Sequence, residues 1–181
     1  MLDAGGQHSS TSADVILRFM EQHYAMTIAA ADPKGTPWAA PVFYVNEGFR
    51  VYWLTVPSNR LGAYLSANPR ATVAILGGDQ DWRLMQGLQI EGPAHQISSW
   101  RDYLRYARRF LRKFPGFATG VLSSPKGSPL ARKAPRMRFY VLEGERCWFT
   151  DHSRGIGNRV ELDLRRINVP NGETAVEEGN C

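Results

Sequence analysis

PVFYVNEGFRVYWLTVPSNRLGAYLSANPRATVAIL, Pro41 to Leu76, is the stretch that decides the fold. Glu47-Gly48 is a compact turn signal between two runs rich in β-branched and aromatic residues. This predicts an antiparallel hairpin of strands 37–46 and 50–56. Past Pro57, Ser58 and Asn59 are helix-capping types and Asn68-Pro69 is a stop, so 58–68 reads as a short helix. Arg70 to Leu76 returns to a strand pattern.

Upstream, Ile16, Phe19, Met20 and His23 form an apolar stripe that predicts a helix over 12–22, capped by Ser12 or Asp14 and lying as a lid over one end of the sheet. A strand at 25–31 and a turn at Asp32 to Gly35 connect it to the hairpin. Downstream, a turn at 77–81 leads into a long strand, 82–97, whose Gly87 and Gly92 point to bulges or close backbone approach. Trp100, Leu104, Ala107, Leu111 and Phe114 then recur at helical spacing. A loop over 115–135 and a final hairpin, 137–142 with 146–151 across Glu143-Gly144, complete the pattern. Short strands with helices only at the crossings predict a mainly β fold with helices: an α+β, six-stranded antiparallel β-barrel. Residues 14–164 make up the domain, 1–13 a flexible N-terminus and 165–181 a mobile tail.

The chain has 181 residues, 43% hydrophobic and 22% charged, enough for one domain with a sizeable core. There is no apolar run long enough to span a bilayer and no export signal, so a cytoplasmic protein without a membrane partner is expected. Cys147 and Cys181 make neither a disulfide framework nor a metal site. The net charge of +5 comes largely from Arg101, Arg105, Arg108, Arg109, Arg112 and Lys113. On one helix these read as a solvated face rather than a nucleic-acid surface; the competing reading joins them to Arg132, Lys133, Arg136 and Arg138 in a basic interaction module.

The chemistry concentrates where strand 50–56 runs into the short helix. A helix start presents unpaired N–H groups and partial positive charge, which suits a phosphate. Thr55, Ser58 and Asn59 add hydrogen-bonding groups and Arg60 a bidentate cation. The competing reading is an ordinary cap with Arg60 in water.

In the order of its elements the chain resembles the pyridoxamine 5′-phosphate oxidase-like superfamily. The resemblance is carried by Pro41 to Leu76 and the following QGLQIEGPA, Gln86 to Ala94, and extends over about 14–164. It implies an FMN-binding split β-barrel, a homodimer sharing its sites between protomers, and an FMN-dependent oxidoreductase acting on a small molecule. By position it implies flavin contacts at Leu54 and Thr55, a phosphate-binding Arg60, and strand 39–43, ending in Phe43, along the flavin. Tyr44 stands where the oxidase has a lysine, and Leu61 where the family has a second phosphate-binding lysine. The family's glutamine falls at Gly87, with Gln86 or Gln89 as substitutes. Phe149 matches an aromatic contact and Arg159 a terminal arginine, whose charge near the ring favours negative charge there. Gly155 and Gly157 replace the Arg-x-His substrate motif of the vitamin-forming oxidase, which speaks against pyridoxine phosphate as substrate.

The alternatives are a haem-binding or haem-degrading split barrel, with His23 or His152 as axial ligand, and a non-catalytic flavin-binding or sensing protein. No histidine has the spacing of a zinc site.

Overall fold

Along Ala25–Ala31 (β1), Met26, Ile28 and Ala30 are buried while Ala25, Thr27 and Ala29 face out. The same two-residue period runs through Arg70–Gly77 (β4) and Gln86–Gln96 (β5), so one face of each strand enters a common core. The structure is a computed structural model that describes residues 4–77 and 81–167. Gly78 to Gln80 of the expected turn, and the expected tail past Ile167, lie outside the described residues.

Pro37–Glu47 (β2), Arg50–Thr55 (β3), Arg138–Leu142 (β6), Arg146–Asp151 (β7) and Arg159–Asp163 (β8) complete the sheet. Its order is β4-β1-β2-β3-β6-β5-β7-β8, with β4 also pairing β5. Six antiparallel strands therefore close a barrel, β1-β2-β3-β6-β5-β4, and β7 and β8 extend it. The expected hairpin of 37–46 and 50–56 is present, Tyr44 opposite Trp53 and Glu47 opposite Arg50. β8 is an addition to the expected strands: Arg159, Glu161 and Asp163 break its apolar pattern because only Leu162 is buried there.

The expected final hairpin does not form. β6 and β7 lie end to end along β5, Leu142 opposite Ala94 and Arg146 opposite Glu91. Three residues, Glu143 to Glu145, thus oppose two, Pro93 and Gly92, which makes a β-bulge. Glu143 N donates to Pro93 O and Glu145 N to Glu91 O, both at 2.9 Å. Past the bulge the strand changes neighbours: β6 pairs β3 and β7 pairs β8. Gly144 is therefore a bulge residue, packed against Leu164 and Phe49, and not the turn glycine that its local sequence suggests.

Ala4–Gln22 (α1) starts ahead of the expected Ser12 and inserts Ala13, Ile16, Phe19 and Met20 into the core inside the barrel. Burial of the Ile16, Phe19 and Met20 side chains stabilises by roughly 1.5–3 kcal/mol each. Arg60–Ala67 (α2) adds Leu61 and Leu65. Trp100–Lys113 (α3) packs outside the barrel in a second cluster with Val45, Tyr52, Phe139 and Val141.

Here the expected stripe is displaced. Tyr106 and Phe110 are buried, whereas Trp100, Leu104 and Leu111 are exposed. Tyr52 and Tyr106 stack at 3.6 Å and share a 2.7 Å hydroxyl hydrogen bond. Arg105 and Arg109 both grip Glu47, so part of the basic row is used inside the fold. The expected loop 115–135 holds two further short helices, Gly116–Leu122 (α4) and Pro129–Lys133 (α5). Among the described residues no helix is long and apolar enough to cross a membrane, and no cluster has the makings of a metal site.

Candidate functional site

Strand alternation builds an outward surface of small side chains. One rung across the sheet runs Pro41, Thr27, Ala74, Gln89 and Trp148; its neighbour runs through Gly87, Thr150 and Arg159. The small members of both form the floor of a cavity of about 450 Å³, within the range of small-molecule sites. Ala25, Thr27, Ala74 and Gly87 let a flat group approach the backbone closely. Arg159 lies at the edge, its Nη2 donating to Gln89 Oε1 at 2.9 Å and its guanidinium carbon 5.5 Å from the Trp148 ring centroid. Leu76 stands 75% exposed on the rim, with Trp82 and Leu84 exposed nearby in sequence.

The helix start is a second group. Asn59 caps α2: its Oδ1 accepts from Gly62 N at 2.8 Å, while its Nδ2 donates to the buried Thr55 Oγ1 at 2.8 Å. Gly62 is required there, because a Cβ would come within 2.4 Å of Pro57 O. Ser58 and Arg60 are exposed. Arg60 lies 4.4 Å over the Trp38 ring and donates to Tyr64 Oη at 3.0 and 3.1 Å, an aromatic seat that holds the guanidinium beside the helix start.

The residues singled out from sequence divide accordingly. Arg159 lines the cavity, and Phe43 faces out beside it, paired with Ala25. Thr55, Ser58, Asn59 and Arg60 cluster at α2, away from the cavity's lining. Leu54 packs in the cluster under α3. Tyr44 points into the barrel, fully buried, donating to Met20 O at 2.7 Å, and burial pushes its phenol above the usual range. Phe149 is also inside, edge-on to Phe19 at 5.2 Å. Gln86 does not line the cavity; Gln89 does. The side chains of Tyr44 and Phe149 are thus separated from the outer surface by the strand itself.

The cavity wall includes Thr27, Ala74, Gly87 and Thr150, of which sequence reasoning marked only Gly87. The signal was present: with Leu88 and Ile90 inward, Gly87 and Gln89 must face out, and with Cys147 inward so must Trp148 and Thr150. Cys147 is inert in this setting, burial pushing its thiol up to about 12.

A second, cationic cavity of about 280 Å³ lies further along β2, lined by Val45 and Asn46, by Glu21 of α1, and by Arg109, Arg112 and Lys113 of α3. Between the two, Phe43 meets Phe114 at 5.3 Å and Tyr24 at 6.3 Å.

A barrel split at a bulge, with an open cavity of small side chains on its outer wall, defines the class: a split β-barrel. Residues 12–151 match the family model for pyridoxamine 5′-phosphate oxidase. The chain belongs to that family. It lacks the Arg-x-His motif, and Gly155 and Gly157, at those places, take positive φ. No curated protein matches the chain.

Solved structures share the fold at low identity. A haem-binding protein from Mycobacterium smegmatis is 18% identical with a TM-score of 0.60, over 78% of this chain and 53% of its own. The chain thus spans about half the length of that protein. An FAD-binding protein from Mesorhizobium loti is 14% identical with a TM-score of 0.58, over 74% and 89%. A putative pyridoxamine 5′-phosphate oxidase from Listeria innocua is 16% identical with a TM-score of 0.55, over 75% and 94%.

Proposed function

We propose that the chain binds FMN and works as an FMN-dependent oxidoreductase on a small molecule, with the flavin ring on the wall of Thr27, Ala74, Gly87 and Thr150. The observation that carries this reading is the small-residue cavity edged by the Gln89–Arg159 pair. The floor suits a planar ring, Thr27 and Thr150 supply hydroxyl donors, and Arg159 sets a positive charge at the ring's edge. The capped start of α2 with Ser58 and Arg60 suits the phosphate. Bound FMN supplies hydride chemistry, and the protein supplies anchoring, orientation and exclusion of water.

Since Arg60 and Arg159 sit at separate places in one chain, the reading includes a homodimer in which one protomer's α2 start completes the site on its partner's wall. The exposed Leu76 and Phe43 support a covering second copy. Light scattering at working concentration is expected to return a dimer mass; a monomer refutes the shared site.

The haem alternative needs a histidine at the ligand. The Nδ1 atoms of His23 and His152 pair with the carbonyls of Phe19 (2.7 Å) and Trp82 (2.9 Å), an arrangement that leaves Nε2 as the atom to meet an iron. The flavin reading rests instead on the small-residue floor and the Arg159 edge of the cavity, whose described lining includes neither histidine.

The test is the visible spectrum of the purified protein, repeated on the supernatant after heat denaturation. Flavin bands that move into the supernatant are expected. A haem band, or a colourless protein that does not take up added FMN, overturns the reading. Sustained oxidation of a reduced nicotinamide cofactor with an acceptor is expected of an enzyme; a single reduction of bound flavin would mark a storage or sensing protein instead.

A further inference from the structure

Lys113, at the last turn of α3, opens on the cationic cavity and is half-buried. Its Nζ lies 4.2 Å from the Tyr44 ring centroid, and its one hydrogen bond among the described residues is a long 3.4 Å contact to Met20 O. That carbonyl already accepts the Tyr44 hydroxyl at 2.7 Å. The half-buried ammonium therefore has the Tyr44 ring face and one long hydrogen bond as its partners.

Two guanidinium groups share the cavity. Arg109 is engaged with Glu47 and Asn46 O, while Arg112 lines the cavity beside it. Glu21, on the rim, is the one carboxylate among the described residues of the lining. The pocket thus offers planar cations for an acidic group beside a primary amine.

We propose that Lys113 is an amine nucleophile that captures small aldehydes carrying an acidic group, Arg112 holding the anion. The Nζ lone pair adds to the carbonyl carbon, the carbonyl oxygen takes up protons and leaves as water, and an imine remains. No oxidant or reductant is needed. This inference stands apart from the flavin reading, because it involves neither the Arg159 wall nor Arg60.

Burial lowers the Lys113 ammonium to about 8, against the raising influence of Glu21. Of the other facing groups, Arg109 and Arg112 line the same cavity, and burial raises the Tyr44 phenol, which stays neutral. More of the Lys113 amine is then unprotonated near neutral pH than of an ordinary lysine.

The test is reductive trapping of the whole chain with cyanoborohydride and either glyoxylate or acetaldehyde, mapped by peptide mass. With glyoxylate at pH 7, Lys113 is expected to be modified roughly 10- to 100-fold faster than Lys34, Lys126 and Lys133, with its rate rising through about pH 8. Arg112→Gln is expected to remove the advantage of glyoxylate over acetaldehyde while Lys113 stays reactive. Equal labelling of all four lysines, or equal rates at Lys113 for the two aldehydes, overturns the proposal. The map is read on the unmodified sequence, so its outcome does not depend on a Lys113 variant folding.

Discussion

Replacing Arg60 by Ala is expected to weaken FMN binding roughly 10- to 100-fold, the span of losing one charge-assisted hydrogen bond of roughly 1.5–3 kcal/mol. Arg60 is exposed and its partners are the Trp38 ring face and the ring and hydroxyl of Tyr64 on the surface, so the melting temperature should hardly move. Arg60→Lys keeps the charge but loses the planar fork and the stacking, and an intermediate affinity is expected. The measurement is FMN titration followed by fluorescence, with thermal melts as the control for folding. An affinity unchanged in Arg60→Ala would remove the phosphate assignment from α2, and with it the reason to complete the site with a second protomer. In that event the wall around Arg159 would have to bind its ligand without this anchor.

The second large effect is structural. Gly92→Ala is expected to cost about 3 kcal/mol or more, which lowers the melting temperature of a domain of this size by roughly 6–12 °C. A Cβ on Gly92 would sit 1.9 Å from Glu143 O, in a bulge held by two 2.9 Å backbone bonds. Neither strand can yield without breaking the change of neighbours that splits the barrel. Gly87→Ala is the comparison, five residues earlier on the same strand. There the nearest atom to an added Cβ is Met85 Sδ at 3.8 Å, an ordinary contact. Its melting temperature should stay level while FMN affinity falls, because the new methyl group stands on the cavity floor. Equal melts for the two variants would mean that the bulge does not hold the fold together.

These two glycines show what local sequence can convey. Both carry the same local signal of a bulge or close approach, yet only Gly92 meets another backbone; the space over Gly87 is the cavity. The hairpin around Glu47-Gly48, the helix capped by Asn59 and the strands at 25–31 and 70–76 were legible because each rests on local chemistry: turn residues, a cap, a two-residue period. β8 was not, since a short, charged edge strand has almost no apolar period to read.

Of the residues singled out from sequence, Arg159 lines the cavity and Ser58 to Arg60 gather at the start of α2. Tyr44 and Phe149 fall one residue out of phase with the surface, as a one-residue step turns a strand side chain to the other face. By itself the sequence determined the barrel class, the capped helix start and the family, because local propensity and element order survive without any knowledge of contacts. Tertiary structure alone decided three things. It laid β6 and β7 end to end on β5, turned α3 so that Tyr106 met Tyr52, and assembled a cavity from strands distant in the chain. Each depends on pairing and packing between residues far apart in sequence, which no local pattern encodes.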